Sequence, residues 1–96
     1  MIIKFNEKVN EVLKALMESK ENGVIRLEVT AFGCGTPALG VALDIQRKDD
    51  FLINVEGIQF VIAEKVKIFF ENTEIVYNPE AFNGGFYVHR LHITSV

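Results

Sequence analysis

Thiols are what this sequence has least of: one cysteine, Cys34, in 96 residues. A lone cysteine excludes an intramolecular disulfide and any Cys-x-x-Cys pair, and it gives no sign of an oxidising compartment. Positive charge is also short, because ten Lys+Arg stand against thirteen Asp+Glu and leave a net charge of −3. Nucleic-acid binding normally shows as a basic excess, so no nucleic-acid partner is expected. No apolar run approaches the ~20 residues that span a bilayer, so no membrane helix is expected. The opening MIIKFNEKV has no charged leader followed by a long apolar core, which argues against a secretory signal. Internal repeats, low-complexity tracts and linkers are missing too. Together these absences predict a single domain over residues 1–96 in the cytoplasm, where a thiol stays reduced. With 49% hydrophobic and 24% charged residues, the chain has the composition of a folded protein with one modest core.

What is present centres on Ala31–Gly40, AFGCGTPALG, where Cys34 sits between Gly33 and Gly35 and is followed by Pro37 and Gly40. This density of glycine and proline favours special backbone angles over regular structure. Alternating apolar segments run into it and out of it, so an exposed loop joining two strands is expected. Buried inert cysteines more often lie in apolar strands or helices.

The rest of the chain reads as short elements. Ile2–Phe5 suggests an edge strand. Asn6 suits a helix N-cap, with Glu7 at the positive end of the dipole. Phe5, Val9, Val12, Leu13 and Leu16 then recur at helical spacing, and Asn22-Gly23 marks a stop. Val24–Thr30 alternates, with Ile25, Leu27 and Val29 on one face and Arg26, Glu28 and Thr30 on the other. Leu39, Val41, Leu43 and Ile45 form a second alternating face, while Gly40 and Ala42 opposite leave room for a close neighbour. The charged run Gln46–Asp50 reads as a solvated turn. Phe51–Val55 and Ile58–Ile62 suggest a hairpin through Glu56-Gly57. Ala63–Glu71 carries Val66, Phe69 and Phe70 at helical spacing. Strands over Thr73–Tyr77 and Phe86–Ile93 complete an α+β domain on an antiparallel or mixed sheet.

Cys34 is the candidate for chemistry, as a metal or iron–sulfur ligand, as a nucleophile, or as an incidental surface thiol. His89 and His92 are the only histidines. On a strand their odd offset sends them to opposite faces, so they cannot grip one metal within one chain. Glu64, Glu71, Glu74 and Glu80 show no spacing that pairs carboxylates for acid/base work. Gly33-Cys34-Gly35 lacks the Lys-Ser/Thr pair of a phosphate-binding loop.

The ordered set Ile25-Arg26-Leu27, Gly33-Cys34, Leu43-Asp44, Asp49-Asp50, Val55-Glu56-Gly57, Asn72-Thr73-Glu74-Ile75-Val76-Tyr77 and Gly84-Gly85-Phe86 resembles the A-type iron–sulfur carrier, or HesB-like, family. The resemblance runs over nearly the whole chain. It implies a HesB-like fold, a compact mixed or antiparallel sheet or sandwich with an N-terminal helix and a second short helix. It also implies a non-enzymatic carrier or accessory in iron–sulfur cluster biogenesis, with Cys34 as the one ligand it carries over. Two departures stand out. Gly35-Thr36-Pro37 replaces the family's Ser-Gly after the cysteine, and the family's Cys-Gly-Cys does not occur.

One chain therefore offers one thiolate where a cluster takes four ligands, and a symmetric dimer offers two. A cluster or iron held this way is expected to be labile, or not to form. The implied partners are a second copy of the chain, an apo-protein client or other assembly proteins. The alternative is a HesB-fold binding or scaffold module that has lost the cluster. A small thiol enzyme or redox sensor is a third reading, and it needs a cation or histidine to lower the thiol pKa.

Overall fold

The computed structural model describes residues 1–31, 37–80 and 85–91. Among the described residues there are seven strands: β1 (Ile2–Lys4), β2 (Gly23–Ala31), β3 (Ala38–Ile45), β4 (Asp50–Val55), β5 (Ile58–Ala63), β6 (Asn72–Tyr77) and β7 (Phe86–Arg90). Helix α1 spans Glu7–Glu18, and a 3₁₀ helix spans Glu64–Phe70. The strands form one sheet in the order β1-β6-β7-β3-β2-β5-β4. Two pairings, β1 with β6 and β2 with β5, are parallel, and the rest are antiparallel. This is the mixed-sheet form of the expected α+β fold.

Helix α1 starts where the sequence places it. The Asn6 side chain accepts a hydrogen bond from the Val9 N–H at 2.8 Å, satisfying one of the open donors of the first turn. The stop comes earlier than Asn22-Gly23. Ser19 is the C-cap, Asn22 takes the left-handed conformation (φ 59°), and Gly23 already belongs to β2. The helix buries Val9 and Leu13 completely and packs on β2, β5 and β6. Each such side chain contributes roughly 1.5–3 kcal/mol of apolar burial.

The core is the inward face of the alternating strands. Ile25 and Leu27 of β2 lie in register with Leu43 and Val41 of β3 and with Phe60 and Ile62 of β5. Ile58, Phe60, Ile62, Ile75, Val88 and Phe70 join them in one cluster. The Phe5 and Phe60 rings meet at 5.8 Å. Glu56 (φ 50°) and Gly57 (φ 85°) close the β4–β5 hairpin with the two positive φ values of a type I′ turn, as their sequence suggests. The second helix is 3₁₀ rather than α. The offset of Val66 and Phe69 equals one 3₁₀ turn, so both pack against the core from one side.

Candidate functional site

Cys34 lies outside the described residues, as do Gly33, Gly35 and His92. The anchors of the segment are described. Ala31, the last residue of β2, is in register with Ala38, the first of β3, so both ends are held by a paired ladder. The register slips by one residue between Val29 and Ala31, which makes Thr30 a bulge. Bulges bend a strand and re-aim its side chains, and here the bend stands directly before the cysteine segment. The Thr30 hydroxyl donates to the Ala38 carbonyl across the same rung at 3.3 Å. Gly40 accommodates this arrangement, because a Cβ there would come within 2.9 Å of the Thr30 methyl. Thr30 is thus the close neighbour for which Gly40 leaves room.

β7 runs beside the start of β3, with Leu39 opposite Val88. Pro37, Ala38, Tyr87 and His89 border a shallow depression of about 360 Å³ between the two strands. His89 is exposed there, its ring stacked on Tyr87 at 6.3 Å, with Glu74 opposite it in register on β6. The structure therefore brings His89 to the C-terminal anchor of the cysteine segment. Glu64, Glu71, Glu74 and Glu80 are exposed and scattered. Among the described residues no three His, Cys, Asp or Glu side chains converge to hold a metal.

The charged run read as a solvated turn is different in the structure. Arg26 is only 7% exposed, although it sits on the polar face of β2. Its Nε donates to Asp44 Oδ2 at 2.5 Å, and its two terminal nitrogens donate to the Asp50 carboxylate at 2.9 and 2.5 Å. Asp50 also accepts from the Arg47 N–H at 2.7 Å, and its side chain is 4% exposed. The Arg26 hydrogen bonds hold both aspartates well below the usual carboxylate range, against a desolvation that pushes the other way. Arg26 is raised in turn, chiefly by its hydrogen bond to Asp50. With both acids held ionised by the guanidinium that donates to them, this cluster does not move protons near neutral pH. Its role is to pin the β3–β4 connection onto β2. The signal in the sequence was slight: Arg26 and Asp44 are diagonal neighbours on one face once β2 and β3 pair.

A family model described as iron–sulphur cluster biosynthesis matches residues 1–94. The chain belongs to this family. Its place is accordingly in iron–sulfur cluster biogenesis, as the family resemblance predicted. Several solved structures share its fold. Escherichia coli SufA, involved in biosynthesis of iron–sulfur clusters, superposes with a TM-score of 0.66 at 21% identity, over 92% of this chain and 84% of that one. IscA with a [2Fe–2S] cluster gives 0.65 at 19% identity, over 93% and 82%. An Aquifex aeolicus protein solved by NMR gives 0.68 at 22% identity, over 95% and 93%. No curated protein is significantly similar in sequence. In this iron–sulphur biosynthesis chain no described helix is long and apolar enough to cross a membrane.

Proposed function

We propose that the chain is a non-enzymatic carrier or accessory of iron–sulfur cluster biogenesis that holds its cargo, a cluster or iron, through Cys34. The observation that carries this reading is the family match over residues 1–94, taken with Cys34 being the sole thiol in it. The register-paired anchors Ala31 and Ala38 support it, because they fix where the segment leaves and re-enters the sheet. Among the described residues no three His, Cys, Asp or Glu side chains come together as a ready-made ligand set. Further ligands then come from a second copy of the chain, which adds one more Cys34, or from small thiols. Cargo held by so few protein ligands exchanges readily, which suits delivery to an apo-protein client or receipt from assembly proteins. A cytoplasmic location fits a carrier whose thiol must stay reduced.

The test is delivery. The chain is loaded anaerobically with iron and sulfide, freed of excess reagent, and mixed with an apo-ferredoxin. Growth of the ferredoxin spectrum at a rate set by the loaded chain supports the carrier, and abolition of that growth by Cys34→Ser assigns the cargo to this thiol. No transfer, with free iron and sulfide performing equally well, refutes it.

One observation favours a second reading. Cys34 is the sole thiol in these 96 residues, where a cluster takes four ligands, as expected if the fold serves as a binding or scaffold module. That reading predicts a chain that stays colourless on loading yet retains a specific assembly protein in a pull-down.

A further inference from the structure

The ladder between β3 and β7 is one rung long, Leu39 with Val88. Continued outward by two residues, the same register would set Arg90 across from Pro37. Proline has no N–H to donate, so the pairing stops there. The gap that opens is the depression of about 360 Å³, and Pro37, Ala38, Tyr87, His89 and Arg90 line it. Among the described residues no Asp or Glu lines it. In a chain where acids outnumber bases by thirteen to ten, that makes it a local excess of positive charge.

The side chains around it are suited to an anion. Arg90 is permanently charged and presents its N–H groups as a fork that matches a carboxylate. Its guanidinium rests over the Phe69 ring, 5.8 Å from the centroid, which narrows its orientations. Tyr87 and His89 alternate to the opposite face of β7 and are both exposed, with ring planes 18° apart. Glu74 lies on the far side of β7, in register with His89, and Lys4 stands in register beside it on β1.

We propose that this depression binds a small thiol that carries carboxylates, of the tripeptide class that glutathione represents. A ligand carboxylate pairs with the Arg90 fork, and the ligand's backbone lies against Tyr87 and Pro37. Charge selects an anion over a neutral thiol. Size selects a small molecule, because about 360 Å³ is at the lower end of the roughly 300–1,000 Å³ of ligand pockets. Position gives the sulfur its use: Pro37 is three positions after Cys34. The inference rests on the carrier reading, which requires ligands besides Cys34, and it names the chemistry and the docking place of one of them. The docked sulfur binds the cargo as a thiolate, its proton passing to water.

Amide NMR titration of the metal-free chain with S-methylglutathione tests the docking, since the methyl cap blocks the sulfur and leaves the carboxylates. Saturable shifts are expected around Ala38, Tyr87, His89 and Arg90, with a Kd of about 1 mM, unchanged by Cys34→Ser. Arg90→Glu should weaken binding roughly tenfold or more, because a charge-assisted pair becomes a repulsion. Arg90→Lys, which keeps the charge and loses the fork, should weaken it less. In anaerobic loading with iron and sulfide, glutathione should support retention at roughly tenfold lower concentration than uncharged 2-mercaptoethanol. Arg90→Glu should remove that advantage. No saturable shift well above millimolar concentration overturns the proposal, as does binding indifferent to Arg90→Glu. Retention equal in the two thiols overturns it as well and leaves the carrier reading intact. A chain that binds S-methylglutathione as expected but retains no iron or sulfide in either thiol refutes the carrier reading instead, and the docking site stands.

Discussion

Arg26 shows what a single residue can do against its own pattern. Strand alternation assigns it to the water side of β2, and taken alone that assignment is reasonable. The structure covers it with Asp44 and with Asp50, 24 positions away in sequence. Nothing local encodes that contact, which exists only because the β3–β4 connection folds back over the sheet. Breaking a buried ion pair leaves an uncompensated charge, so Asp50→Ala should cost about 3–5 kcal/mol in urea unfolding at pH 7. The pH dependence has a definite sign. Asp44 and Asp50 have lowered values in the folded chain, so their contribution is complete above the unfolded value of about 4 and is withdrawn as the pH falls below it. Stability measured from pH 6 downward should therefore drop below about pH 4. The same curve for Asp50→Asn should start lower at pH 6 and fall less steeply. Equal slopes would mean that Asp50 is not held ionised by the fold. Cys34 is a candidate on the sequence alone. It is the sole thiol, and its flanking glycines announce it without any knowledge of the tertiary structure.

At the scale of elements, most of the architecture could be read in advance because it depends on neighbours in sequence. The cap at Asn6, the alternation of β2 and β3, and the Glu56-Gly57 turn are local devices, and each stands where the residues place it. What the residues do not announce is the parallel pairing of β2 with β5, which involves partners far apart in the chain, and the 3₁₀ winding of the second helix. Two substitutions test the local devices. Gly57→Ala puts a side chain at φ 85° and should cost about 1–2 kcal/mol of stability in a denaturant titration. Gly40→Ala drives a methyl toward the Thr30 methyl, 2.9 Å from where the new carbon would stand. It should cost about 1 kcal/mol or more. Thr30→Ser, which removes that methyl while keeping the hydroxyl, should recover most of the loss in a double-mutant cycle. Additive effects would show that the bulge before the cysteine segment does not depend on this contact.

For the whole molecule, membership of the iron–sulphur cluster biosynthesis family was foreshadowed by an ordered series of short matches, each weak alone. The site was less legible than the fold. One thiol does not show where a cluster's other ligands would come from, because nothing in its spacing points to the groups that would join it. His89 illustrates the same limit. It stands beside Pro37 at the segment's anchor, a proximity created by the β3–β7 pairing and not by spacing along the chain. The account rests on Cys34 binding the cargo, and counting iron and sulfide retained per chain after anaerobic loading and desalting tests this most directly. Wild-type chain should retain both with visible absorption, and Cys34→Ser should retain neither. A colourless wild type, or a serine variant that retains as much as wild type, would contradict it.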